Sequence, residues 1–191
     1  RQGWGGGPIT NEGAGGEVYG TIVVIEESPH DASTLYVGTD DGLIQRTRDG
    51  GKTWTNVTPT AWGDGLVNEI AISPHDPATV YVAFRKDRLG DPTPHLLVSK
   101  DHGATFTRIV NGLRAGEPVR VVREDPVRKG LLYAGTETGV YVSYDAGAMW
   151  LPFRGNFPVV PVTDLQVKHG DLIAATEGRA FWILDDLSVL R

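Results

Sequence analysis

The residues best equipped for chemistry in this sequence are its carboxylates. Hydrolysis of a glycosidic bond needs two of them about 5–10 Å apart, one as acid and one as nucleophile or base. Asp64, Glu69, Glu117, Asp164 and the adjacent pair Asp185-Asp186 are of the right type, but their spacing places no two of them in one cleft. Histidines invite a metal reading. His30 and His75 sit in matching Ser-Pro-His-Asp stretches, and His95 and His102 flank one expected strand. No carboxylate or cysteine spacing completes a ligand set around them, and Asp40-Asp41-Gly42 lacks the alternating oxygen ligands of a calcium loop. No metal and no cofactor is therefore expected, and His30 and His75 read as surface turn residues. Signatures of a serine nucleophile or a phosphate-binding loop are missing too.

Three further aspartates belong to a repeated octet. Thr47-Arg48-Asp49-Gly50-Gly51-Lys52-Thr53-Trp54 returns as Ser99-Lys100-Asp101-His102-Gly103-Ala104-Thr105-Phe106 and as Ser143-Tyr144-Asp145-Ala146-Gly147-Ala148-Met149-Trp150. A catalytic residue has no reason to recur once per repeat, whereas a turn does. A turn between antiparallel strands leaves backbone N–H groups without ladder partners, and one carboxylate accepts several of them. Asp49, Asp101 and Asp145 are expected to do so, with Gly51, Gly103 and Gly147 supplying positive φ. Trp54, Phe106 and Trp150 are expected to point inward between sheets, each costing about 3–5 kcal/mol on change to Ala.

The elements that would position these residues are short strands. Tyr19–Ile25, Leu35–Thr39, Leu43–Arg46 and Thr53–Val57 alternate with turn signals at Ser28-Pro29-His30-Asp31 and Asp40-Asp41-Gly42. The same order replays downstream, and the octet aspartates are 52 and 44 residues apart, a spacing that fits a four-stranded propeller blade. The expected organisation is a Gly-rich arm (1–17), blades over 18–66, 67–118 and 119–161, and a partial blade without an octet (162–191). The fold class is all-β: four-stranded antiparallel propeller blades, about three complete and a fourth partial, in an open or incomplete propeller. An open array exposes strand edges, so missing blades, a second copy or another subunit of an assembly is expected to cover them. The second repeat carries an insertion at 85–95, charged and Pro-containing, read as a loop. Its Arg85, Lys86, Arg88, Asp91 and His95, with Trp4 of the arm, are the expected partner contacts.

Composition narrows the classes. A hydrophobic content of 40% with 22% charged residues belongs to folded globular chains rather than disordered ones. A net charge of −6 without a basic run argues against nucleic acid as a partner. With no cysteine there is no disulfide framework and no thiol nucleophile. The longest apolar stretch, Thr21–Ile25, is far short of the ~20 residues of a membrane span. A chain that starts at Arg1 reads as processed or as part of a longer protein.

The octet resembles the Asp-box, or BNR repeat, of sialidases, xyloglucan-degrading propeller enzymes and sortilin-type Vps10 propellers. That resemblance implies a box that closes the hairpin between the third and fourth strands of a blade and lies away from any catalytic face. The departures are Phe106 for Trp and Met149 for Thr, both read as conservative for packing. The phrases Gly38-Thr39-Asp40-Asp41-Gly42-Leu43, Val121-Val122-Arg123-Glu124-Asp125-Pro126 and Gly178–Leu187 look like the C-terminal blades of large bacterial secreted proteins with sortilin-like propellers. This implies an extracytoplasmic setting, periplasmic or secreted and in or beside a membrane complex. Two functions compete. One is a non-catalytic protein-interaction or scaffold segment. The other is a fragment of a sialidase- or xyloglucanase-like glycoside hydrolase whose active site needs absent blades, although the Phe/Tyr-Arg-Ile-Pro motif of sialidases does not occur.

Overall fold

The computed structural model describes residues 20–191. Period-two alternation yields strands that pair only with their chain neighbours, giving four antiparallel sheets in sequence order. The first sheet runs β1 (Ile22–Ser28), β2 (Asp31–Thr39), β3 (Ile44–Thr47), β4 (Thr55–Asn56). The second is β5 (Leu66–Ile72), β6 (Val80–Lys86), β7 (Asp91–Ser99), β8 (Thr107–Arg108). The third is β9 (Val119–Glu124), β10 (Leu132–Thr136), β11 (Val140–Ser143), β12 (Leu151–Phe153). The fourth has three strands, β13 (Val162–Lys168), β14 (Asp171–Thr176) and β15 (Phe181–Leu184). These are four blades of a β-propeller with almost no helix.

Each blade buries one face against the next. Tyr36 and Ile44 of the first blade pack with Val67, Ile70 and Phe84 of the second. Tyr81, Leu96 and Val98 pack with Val122 and Trp150 of the third, and Tyr133 and Val140 pack with Val162, Leu165 and Leu172 of the fourth. The first strands pack in the order β1, β5, β9, β13, whereas β4, β8 and β12 pack mainly on their own sheets. The blades therefore fan outward from a line of first strands. Gly38 makes the approach possible: a Cβ there would lie 2.4 Å from Val67 Cγ1 of the next blade's first strand, and at Gly135 it would lie 2.7 Å from Val162 Cγ1.

Two local expectations change. The Ser28–Asp31 turn is tighter than expected, because Ser28 pairs directly with Asp31 and β2 starts four residues earlier than the apolar run at Leu35. Residues 85–95 form a hairpin rather than a loop: β6 and β7 are extended until Lys86 pairs with Asp91, and a 3-10 turn at Asp87–Leu89 closes on Gly90 at φ 84°. Charge and proline concealed strand character that the ladder supplies. Trp4 and the Gly-rich arm lie outside the described residues.

Candidate functional site

The three octets fold alike. Asp49 Oδ1 accepts from the Thr47 hydroxyl (2.8 Å) and the Thr53 N–H (2.9 Å), while Oδ2 accepts from the Thr53 hydroxyl (2.6 Å). Asp101 repeats this with Ser99 Oγ (2.7 Å), Thr105 N–H (2.8 Å) and Thr105 Oγ1 (2.6 Å). The Thr53 and Thr105 hydroxyls, helped by the backbone donors, hold both carboxyls down at about 2. Asp145 accepts from Ser143 Oγ (2.8 Å) and the Met149 N–H (2.9 Å). Its pKa is also lowered, led by the Met149 N–H, but Met149 offers no hydroxyl to Oδ2. Met149 for Thr is therefore not a neutral change for the bonding network. The first residue of each octet has a role that spacing alone did not disclose: Thr47, Ser99 and Ser143 are buried, and each hydroxyl accepts the N–H of the octet's conserved-position glycine, at 2.9, 2.7 and 2.9 Å. Gly51, Gly103 and Gly147 have φ of 89°, 85° and 87°.

The octet aromatics face the preceding blade, so their burial depends on whether one is present. Trp150 is 1% exposed and its indole N–H donates to the Ile109 carbonyl of the second blade at 2.8 Å. Phe106 packs beside Val57 and Trp62 of the first blade. Trp54 departs from the inward expectation at 44% exposed, and its indole N–H donates to Gly51 O within its own turn. No blade precedes the first one among the described residues, so Trp54 has nothing to enter.

Of the carboxylates outside the octets, two are brought together. Glu69 on β5 and Asp164 on β13 bind the same guanidinium, that of Arg123 on β9, at 2.7 and 3.0 Å. Burial raises the Glu69 pKa and Arg123 partly offsets it. Glu117 is buried and its carboxylate is taken by the Thr138 hydroxyl and by the Tyr141 hydroxyl at 2.9 Å. Asp64 is exposed between β4 and β5. Asp186 accepts from the Ser188 N–H at 3.0 Å and caps the final 3-10 turn, so Asp185-Asp186 is not a paired site. Four clefts on the described residues have walls without a single Asp or Glu. One of about 280 Å³ lies along the third blade and the segment that follows β12, lined by Arg114, Tyr141, Arg154 and Phe157.

Most charges of the inserted hairpin have partners, some within it and some on neighbouring segments. Arg85 pairs with Asp87 at 2.7 Å and lies 3.6 Å from Glu137, which holds Arg120 at 2.6 Å. Lys86 donates to the Trp62 carbonyl at 3.1 Å. Asp91 accepts from Thr93 Oγ1 at 2.5 Å, which with the Thr93 N–H lowers its pKa to about 2. It also contacts His95 at 3.1 Å; burial, joined by the Arg108 and Lys86 charges, lowers the His95 pKa against the pull of Asp91. Arg88 and Leu89 are left exposed at the tip.

The turn histidines are not idle surface residues. His30 Nε2 meets the Ser73 carbonyl at 2.8 Å and His75 Nε2 meets the Asp125 carbonyl at 2.8 Å. Each is a latch from one blade to the equivalent turn of the next. Their recurrence in Ser-Pro-His-Asp was the available signal.

No family model matches the chain, and no curated protein matches it. Solved structures do. A GH74 xyloglucanase from Xanthomonas campestris aligns at TM-score 0.67 and 18% identity over 85% of this chain and 29% of its own. YCF48 bound to a D1 peptide aligns at 0.65 and 17% over 87% of this chain and 52% of its own. The computationally designed Ika4 protein aligns at 0.59 and 12% over 87% and 92%. The chain thus spans less than a third of the xyloglucanase and about half of YCF48. At these identities the likeness is one of fold: a β-propeller.

Proposed function

We propose that this chain is a non-catalytic β-propeller segment that serves as a protein-interaction or scaffold module of a larger extracytoplasmic assembly. The observation that carries this reading is that, among the described residues, none of four clefts has a carboxylate in its wall. The aspartates of the octets are taken up by their own turns. The likeness of the octets to Asp-boxes of sortilin-type propellers supports it. So does YCF48, which is bound to a peptide in its structure. Arg88 and Leu89 at the hairpin tip are the contact residues assigned to the partner.

A glycoside hydrolase reading rests on Glu69 and Asp164, an acid of raised pKa and a second carboxylate on one arginine. The two are separated by a guanidinium that neutralises both, which leaves no room for a sugar between them. Incubation with xyloglucan and with sialosides, read by release of reducing ends or sialic acid, tests the choice. No turnover is expected. Turnover lost in Glu69→Gln or Asp164→Asn with the fold intact would overturn the proposal.

A further inference from the structure

All three interfaces between blades are built in one way. An outgoing row on one blade meets an incoming row on the next, and strand register fixes the equivalent positions. On the incoming side, Ile25 (paired with Val37), Ile70 (Val82), Val122 (Ala134) and Leu165 (Ala174) share one repeat position. Ile70, Val122 and Leu165 are 0% exposed, each in the cluster shared with the blade before, yet Ile25 is 63% exposed. On the outgoing side, Ile44 (Gly38), Leu96 (Ala83), Val140 (Gly135) and Phe181 (Ala175) share another. The first three are at most 4% exposed, and Phe181 is 74% exposed. Exposed Trp54 lies with Ile25 at one end, and exposed Ile183 lies with Phe181 at the other.

We propose that these two end faces join head to tail with a second copy of this chain, closing a ring of two chains and eight blades. The interior of the chain states what covers an incoming row: an outgoing row of the same repeat. Among the described residues one copy carries one of each uncovered, so the new contact continues an interface series made three times within the chain. Heterologous contacts of this kind close into a ring or run on as a filament. Propellers typically close with about four to eight blades. Among the described residues no strand of the first sheet packs closely on one of the fourth, and Ile25, Phe181 and Ile183 stay exposed, so the four blades do not bury their end rows against each other, and two copies are the number that fits. The inference concerns the end faces and holds whether or not the chain is catalytic.

The test is mass by light scattering on the eluting protein, from about 1 to 100 µM, a span that resolves micromolar dissociation constants. A species of twice the 20.6 kDa chain mass is expected. Ile25→Asp and Phe181→Asp, both at exposed positions that leave the single chain's circular dichroism unchanged, are each expected to raise the dissociation constant by at least about 100-fold. Mixing the two variants restores a dimer, because one wild-type incoming face then meets one wild-type outgoing face. A wild-type monomer across the range, a mass beyond two copies, or variants that fail to complement on mixing would each overturn the proposal.

Discussion

At the scale of the residue, the octet is a hydrogen-bond device whose members are not equivalent. Met149 lacks the hydroxyl that Thr53 and Thr105 give to their aspartates. Met149→Thr is therefore expected to stabilise the chain by about 0.5 kcal/mol, the low end for an intramolecular hydrogen bond because the site is solvated. Chemical denaturation checks it. The aromatics separate further. Trp150→Ala is expected to cost about 3–5 kcal/mol by opening a cavity between the second and third blades, against less than about 1 kcal/mol for Trp54→Ala in the monomer. An equal cost for the two would show that burial against the preceding blade is not what Trp150 contributes.

Between elements, strength lies in the ties from blade to blade. His30 and His75 each donate across an interface to a backbone carbonyl. His75→Ala leaves the Asp125 carbonyl without that donor, at an expected cost of about 0.5–1.5 kcal/mol by equilibrium unfolding. Arg123 ties three blades through Glu69 and Asp164. In Arg123→Met the two carboxylates face each other without their cation, and the expected loss at pH 7 is about 1–3 kcal/mol, discounted because Asp164 is half-exposed. The sign with pH follows from Glu69. Its folded pKa lies above the unfolded value, so the stability tied to it is full below about pH 4 and declines as pH rises through the folded value. Removing Arg123 raises that pKa further, so the variant is expected to lose more at pH 7 than at pH 5. A loss independent of pH would place the role of Arg123 in packing.

Across the whole molecule, the repeat makes the architecture legible in the sequence. Asp49, Asp101 and Asp145 with their glycines and aromatics set the blade period, and the absent fourth octet matched a fourth sheet of three strands. What the sequence could not show was reciprocal dependence. Trp54 and Trp150 occupy the same octet position, and what separates them is that, among the described residues, a blade precedes only Trp150. The 85–95 segment reads as a loop by composition, yet pairing from Lys86 to Asp91 makes it strand, and its charges find partners in Glu137 and Trp62 that lie far away in the chain. Arg123 was legible only as part of a phrase, because its two carboxylates come from blades on either side.

If the octet carboxylates brace the blades instead of reacting, the melting of Asp49→Asn against wild type at descending pH will show it. The folded pKa of Asp49 is about 2, below its unfolded value. Its contribution is therefore present above about pH 4 and is lost as pH falls through about 2. The variant is expected to melt at a lower temperature than wild type at pH 7, and the gap to narrow toward pH 2 as the wild-type carboxylate takes up its proton. Equal melting temperatures at pH 7 would contradict it.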